Sequence, residues 1–193
     1  MRRRGTRGES RQRVLNAAAT LYRQRGFSGV GIIEIANAAG MTHGGFYAQF
    51  PQGKEELITA SVEQAFREGL QDWDEWIEIF TDGRALMQIT EDYLSSRHYS
   101  NPEVGCPVAA LAADVSRQGP MIKSMFTRRV KAQLSALGKL YPDSTPQERR
   151  SNAIKLLTRL AGTILIARAI DDPALTHELL ATARQPELPL ETR

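Results

Sequence analysis

Residues 40–50 read GMTHGGFYAQF, which places a threonine, a histidine, two adjacent glycines and a tyrosine within six positions. The chemistry on offer is polar contact at a helix end, not bond making. Thr42 suits the N-cap of a short helix over HGGFYAQF, because its hydroxyl can accept from an early backbone N–H. Glycine in a helix interior costs up to about 1 kcal/mol relative to alanine, so Gly44 and Gly45 are out of place in a purely structural element. They make sense where another backbone must come close: without side chains, the free N–H groups and partial positive charge of the helix N-terminus can meet a phosphate or a base edge. Phe46 and Phe50, four apart, face inward, and Tyr47 on the opposite side keeps a hydroxyl able to donate to a phosphate oxygen. Each of these signals alone also fits a connecting helix.

The elements that would carry this stretch are helical. Runs of β-branched residues with period two are missing, while helical periodicity recurs throughout, and the chain reads as all-α. A first helix is expected from about Ser10 to Arg25, with Val14, Ala17, Ala18, Leu21 and Tyr22 as its apolar stripe and Gly26 as its end. FSGVG is a turn, and IIEIANAAG is a second helix with Ile32, Ile35, Ala36 and Ala39 on one face, closed by Gly40. Pro51 and Gly53 break the chain after the third helix, before a long one starts near Lys54. Helix, short connection through Gly40, then helix, behind a supporting helix, is the helix-turn-helix pattern, whose second helix enters a DNA major groove.

Charge supports the same direction. The net charge of the 193 residues is +3, but residues 1–53 hold eight basic residues against two acidic ones, a balance of +6, and the rest of the chain is acidic by three. That asymmetry fits a polyanion-binding head on a body with another task, or a solvated basic tail. Arg2, Arg3, Arg4 and Arg7 are expected either as a flexible arm adding salt-dependent affinity from a neighbouring minor groove or as a tail without a partner. No window approaches 18 uncharged apolar residues, so no membrane span is expected. The basic N-terminus lacks a following apolar region and cleavage site, which points to a cytoplasmic protein. One cysteine, Cys106, excludes an internal disulfide framework and a cysteine zinc cluster, and histidines at 43, 98 and 177 are too scattered for a local metal site. No nucleophile with its base, no metal-ligand spacing and no glycine-rich phosphate loop occurs, so neither an enzyme nor a cofactor is expected.

The stretch RQRVLNAAATLYRQRGFSGVGIIEIANAAGMTHGGFYAQFPQGKEEL resembles, almost position by position, the DNA-binding region of TetR-type transcriptional regulators over about a quarter of the chain. Ile35, Ala36, Ala39, Gly40, Tyr47, Phe50, Lys54, Glu55 and Leu57 stand where that family's pattern expects them. The resemblance implies a three-helix DNA-binding domain over residues 1–53 and a larger helical domain over 54–193 that binds a small ligand and forms a homodimer. It places Thr42, His43, Gly44 and Gly45 nearest double-stranded DNA, Tyr47 and Gln49 at the edge, Lys54 on the backbone and Gly31 at a position that usually touches a phosphate, while the basic arm adds Arg4 and Arg7 as candidate contacts. Three departures stand out. Gly31 replaces the usual Ser or Thr and brings no hydroxyl to a phosphate; His43 replaces a frequent Lys; and PQGK is one residue longer than the common spacing, which re-aims Lys54. Apart from Gln49, no side chain is placed for a bidentate base contact. The function implied is that of a ligand-responsive regulator, by family habit a repressor, binding a pseudo-palindromic operator and released by a small, largely apolar effector. The alternative is a helical interaction protein whose head no longer binds DNA.

Beyond Lys54 periodicity carries the reading. A fourth helix is expected over KEELITASVEQAFREGLQDWDEWIEIF, and others near 83–98, 107–117, 120–140, 145–170 and 172–184. NAIKLLTRLAGTILIARAI is the most apolar stretch and must be buried on more than one side. Ala161, Gly162, Ala167 and Ala169 let another helix approach, and the resemblance implies that the helices near 145–170 and 172–184 pack against their twins. Trp73, Trp76, Met87, Tyr93, Leu111, Met125, Phe126 and Leu160 are the candidates for a ligand pocket, most of them equally at home in a core. Pro107 suits a first helical position and sets the Cys106 thiol at a helix N-terminus, a candidate thiol sensor or a small buried capping residue.

Overall fold

The computed structural model describes residues 6–80 and 84–185, apart from the side chains of residues 69–72, 74 and 76, and within these the chain is helical with no strand. The first helix, α1, runs Arg7–Arg25 and starts earlier than the expected Ser10. The reason is a capping box: the Thr6 hydroxyl accepts from the Glu9 amide, and the Glu9 carboxylate accepts from the Thr6 amide at 2.7 Å. Arg7 is therefore a helical residue and not part of a flexible arm, while Arg2, Arg3 and Arg4 lie outside the described residues. The buried face of α1 is Val14, Leu15, Ala18, Ala19, Tyr22 and Arg23, with Ala17 and Leu21 only partly covered, so the apolar stripe lies rotated from the expected one.

The helices α2, Ile32–Ala38, and α3, His43–Gln49, follow. Gly40 turns the chain between them at φ +67°, a left-handed conformation that glycine adopts without steric cost. The Met41 amide closes the turn by donating to the Ala36 carbonyl at 2.8 Å. Phe46 and Phe50 stack at 5.3 Å between ring centroids and are fully buried, as their spacing predicts. They join Val14, Ala18, Tyr22, Ile35, Leu57 and Val62 in one apolar cluster. The long α4, Lys54–Ile79, supplies Leu57 and Val62.

The remaining helices are α5, Arg84–Tyr93; α6, Ser96–Ser100; α7, Pro107–Ser116; α8, Pro120–Gly138; α9, Pro146–Ala169; and α10, Pro173–Arg184. The single helix expected near 83–98 is two, because the Ser95 hydroxyl accepts from the His98 amide at 3.2 Å and so caps a new helix. By packing, one compact unit takes in the described residues up to Asp72 together with Pro102–Gln133, and a second takes in Trp73–Asn101 with the described residues from Leu134 onward. The apolar cluster of the first unit also holds Leu111 and Val115 of α7 and Ile122 and Met125 of α8.

In the second unit α9 buries Ala153, Leu156, Leu157, Leu160, Ile164 and Ala167. Its other side keeps Ile154, Leu165 and Ile166 on the surface, the last two about half exposed at 50% and 52%. Arg168 of α9 donates to the backbone carbonyls of His98 and Tyr99, tying α6 down. No helix among the described residues is long and apolar enough to cross a membrane.

Candidate nucleic-acid interface

At seven residues, α3 is too short to persist by propensity alone, and both of its ends are held by side chains. At the start, the Thr42 hydroxyl accepts from the Gly45 amide at 3.2 Å. At the end, two arginines of α1 supply the missing donors: Arg7 Nη2 donates to the Ala48 carbonyl at 3.1 Å and Arg11 Nη1 to the Gln49 carbonyl. A cation at a helix C-terminus also meets the negative end of the helix dipole. Arg11 lies over the Phe50 ring, 4.2 Å from its centroid, and pairs with Glu56 at 3.2 Å. These clamps set the angle at which α3 leaves the core, so its outward face is fixed before any partner arrives.

That face presents His43, Gly44, Tyr47 and Ala48. The His43 and Tyr47 rings meet edge to face at 5.1 Å, which makes one aromatic ledge of them. A Cβ built on Gly44 would meet nothing within 4 Å, and its φ is not positive. The fold itself therefore has no need of a glycine there, although alanine would hold the helix better by about 1 kcal/mol. Gly45 differs: its Cβ would come within 3.2 Å of Thr42 Oγ1 and 3.3 Å of the Met41 methyl. Gly31, the N-cap of α2, makes no side-chain cap bond and is equally open, so a better cap could stand there without a clash. Gln49 is half-buried at the last position of α3.

The basic residues of this region are more committed than their count suggests. Arg13 donates to the Ala39 carbonyl, Arg25 to Glu34 and to the Gly29 carbonyl, and Lys54 Nζ to the Val30 carbonyl at 2.9 Å. Arg23 is buried, donating to the Ala19 and Gly105 carbonyls and pairing with Glu68 at 3.5 Å. Burial pulls its guanidinium below the ordinary arginine range, opposed by Glu68. The sequence signal for Arg7 was present in Thr6-x-x-Glu9, a capping box. The backbone partners of Arg11, Arg13 and Arg25 have no such signal, since a carbonyl oxygen carries no residue identity.

The residues expected around a ligand pocket divide between the two units. Leu111 and Met125 lie in the core of the first unit, where Phe126 meets Phe66 edge to face at 5.4 Å. Trp73, Tyr93 and Leu160 are buried in the second unit, the Trp73 and Tyr93 rings 5.7 Å apart. Met87, expected to face inward, is 61% exposed, because α5 buries Ala85, Ile89, Thr90 and Tyr93 and position 87 falls on the opposite side. The Trp76 side chain lies outside the described residues. A cavity of about 500 Å³ in the first unit is lined by Phe27, Ile58 and Ile122, with Ser28, Lys54, Glu55, Gln118 and Gly119, and uses none of these eight.

Cys106 is the N-cap residue of α7 with Pro107 at the first helical position, as expected, and is buried at 9% exposure. Gln133 Nε2 stands 3.7 Å from its sulfur. The His98 Nδ1–H donates to the Tyr93 carbonyl at 2.6 Å, and the ring packs edge to face on the Tyr93 ring. Burial, with a smaller contribution from Arg168, lowers its pKa to about 4, against the opposing Tyr93 hydrogen bond.

Residues 14–60 match the family model for bacterial regulatory proteins of the tetR family. Over nearly the whole chain the protein is similar to the HTH-type transcriptional regulator LmrA of Bacillus subtilis, 26% identical over 174 residues that cover 88% of this chain and 93% of LmrA. Its fold matches that of a TetR-family regulator from Cytophaga hutchinsonii with a TM-score of 0.78 at 15% identity, covering 95% of each chain. It also matches FadR of Bacillus subtilis in complex with stearoyl-CoA, with a TM-score of 0.69 at 14% identity, covering 89% of this chain and 96% of that one. These proteins are transcriptional regulators and not enzymes. With the helix-turn-helix of α2 and α3 on a clamped frame and an all-α body, the chain carries the tetR-family DNA-binding region over residues 14–60 and is similar along its length to transcriptional regulators of that kind.

Proposed function

We propose that the protein is a ligand-responsive repressor that binds a pseudo-palindromic operator as a homodimer, with residues 1–53 as the DNA-binding head and 54–193 as the effector-binding and dimerisation domain. The observation that carries the reading is Gly44: an exposed helical glycine that neither backbone conformation nor internal packing demands has its reason in a partner surface that comes within contact of the helix backbone. Thr42, His43, Gly45, Tyr47 and Gln49 surround that approach, and Gly31, Arg7 and Lys54 stand with it as the DNA contacts. Lys54 keeps two further N–H donors for a phosphate beside its bond to Val30.

The dimer reading is supported by α9. Ile154, Gly162, Leu165 and Ile166 fall on one side, exposed in the single chain or, for Gly162, open where a Cβ would meet nothing. Leu175 of α10 is likewise exposed. A second copy of α9 and α10 would cover that face, and a dimer reads a pseudo-palindrome when its two recognition helices lie about one DNA turn, roughly 34 Å, apart. The effector is read as small and largely apolar, in keeping with the acyl-CoA bound by FadR, a protein of the same fold. Its action is differential binding: an effector that prefers a state with the heads splayed lowers the population that fits both half-sites. The protein would act in the cytoplasm, where the DNA is.

The test is a footprint on the DNA upstream of its own coding sequence, at several salt concentrations and with candidate apolar ligands. Two protected half-sites and a steep loss of affinity with salt support the reading. A duplex left unprotected even at low ionic strength contradicts it.

A further inference from the structure

A protein in the major groove discriminates base pairs through bidentate side chains on purines, or through apolar contact with the 5-methyl group of thymine. The first device is scarce on this head. Arg11, Arg13 and Arg25 each donate to carbonyls or carboxylates within the head itself. The outward face of α3 offers His43 and Tyr47, which lean on each other, and no arginine, lysine or asparagine, which leaves the half-buried Gln49 at the end of the helix as its one bidentate side chain.

The second device is present twice. Ala48 is exposed on α3, one position beyond Tyr47 and four beyond the bare Gly44, so its methyl group stands on the same side as the glycine. On α2, Ile33 is 62% exposed, the most exposed large apolar side chain among the described residues. The apolar cluster draws on Ile32, Ile35 and Ala36 of α2 and leaves Ile33 out. Ile33 lies two positions after Gly31, whose missing side chain leaves open space at the start of α2. Each of the two helices of the helix-turn-helix thus carries an exposed apolar side chain within four positions of a glycine that the fold does not require.

Resting on the DNA-binding reading above, we propose that this head selects its operator through thymine 5-methyl groups, with Ile33 and Ala48 as the residues that receive them. The operator then carries thymines at fixed positions in each half-site, and what is read there is the methyl group and not the hydrogen-bonding edge. Deoxyuridine, which pairs as thymidine does but lacks the methyl, is the probe.

The full-length protein is used to enrich bound duplexes from a pool with a randomised central segment. In the enriched duplex each thymidine is then replaced, one at a time, by deoxyuridine, and affinity is read by fluorescence anisotropy. One or two positions per half-site should each lose about four-fold on losing the methyl, the worth of one buried methyl group. Ile33→Ala should abolish the deoxyuridine penalty at one position, and Ala48→Gly at another. Ala48→Ser, which keeps the helix propensity better than glycine does, should reduce the same penalty if the glycine variant melts α3. Failure to enrich any duplex at low salt overturns the DNA-binding reading itself. An enriched duplex that tolerates every deoxyuridine overturns the methyl readout alone, and penalties undiminished in all three variants overturn the assignment to Ile33 and Ala48.

Discussion

The Asp114 carboxylate of α7 accepts a hydrogen bond from the Phe27 amide at 3.1 Å, across 87 positions of sequence. The same carboxylate fills the space beside Gly26, where a Cβ would come within 2.9 Å of Asp114 Oδ1. Gly26 sits at φ +70°, so both conformation and space call for glycine. The end of α1, which supports the helix-turn-helix, is thus finished by a residue of α7.

Replacing Asp114 by alanine leaves the Phe27 N–H, which is partly buried, without its acceptor. The expected loss is about 1–3 kcal/mol, read as a fall of several degrees in Tm. An unchanged melting curve would show that water replaces the carboxylate at no cost.

Arg11 should behave as a clamp. Arg11→Ala is expected to lower both stability and DNA affinity, since α3 loses the donor at its C-terminus, while the slope of affinity against salt stays as in the wild type. A phosphate-binding arginine would instead reduce that slope by about one when removed. Affinity measured over a salt series separates the two.

His98 gives a pH signature. Its pKa is about 4 in the folded protein, below the ordinary 6.5. Between those values the unfolded chain binds a proton that the folded one does not, so stability falls as pH drops from 6.5 towards 4. The span corresponds to at most about 3 kcal/mol. His98→Asn, which removes the titration, should flatten this part of a denaturant-unfolding profile measured against pH. A variant with the wild-type pH dependence would place its origin elsewhere.

The exposed face of α9 makes its own prediction. Leu165→Glu puts a charge among the apolar residues proposed to meet a second copy, and sedimentation should find this variant monomeric where the wild type is a dimer. Gly162→Ala should raise the stability of the helix by up to about 1 kcal/mol while weakening the dimer. A wild type that sediments as a monomer, or a Leu165→Glu dimer, would refute the interface.

Much of the architecture was legible because it is written in local signals. Gly26, Gly40 and Pro51 end helices where they stand, and Thr42 and Pro107 mark starts. Phe46 and Phe50 turn inward through their four-residue spacing. What escaped was either overridden by a single side chain or settled by distant backbone. The Ser95 hydroxyl breaks a run whose amphipathic period continues past it. Arg11 and Lys54 count as free positive charge in a sequence and are tied to the Gln49 and Val30 carbonyls in the fold. Met87 shows the limit for a candidate pocket: residue type suggested burial, and its place around α5 decided otherwise.

The most direct test of the account is Gly44→Ala, measured for both stability and operator affinity on one preparation. The fold has room for the methyl group and α3 gains from it, so thermal stability should hold or rise, by up to about 1 kcal/mol, while DNA affinity drops at least ten-fold because the groove can no longer approach the backbone. A Gly44→Ala protein that binds the operator as tightly as the wild type would contradict the claim that this bare position exists for DNA.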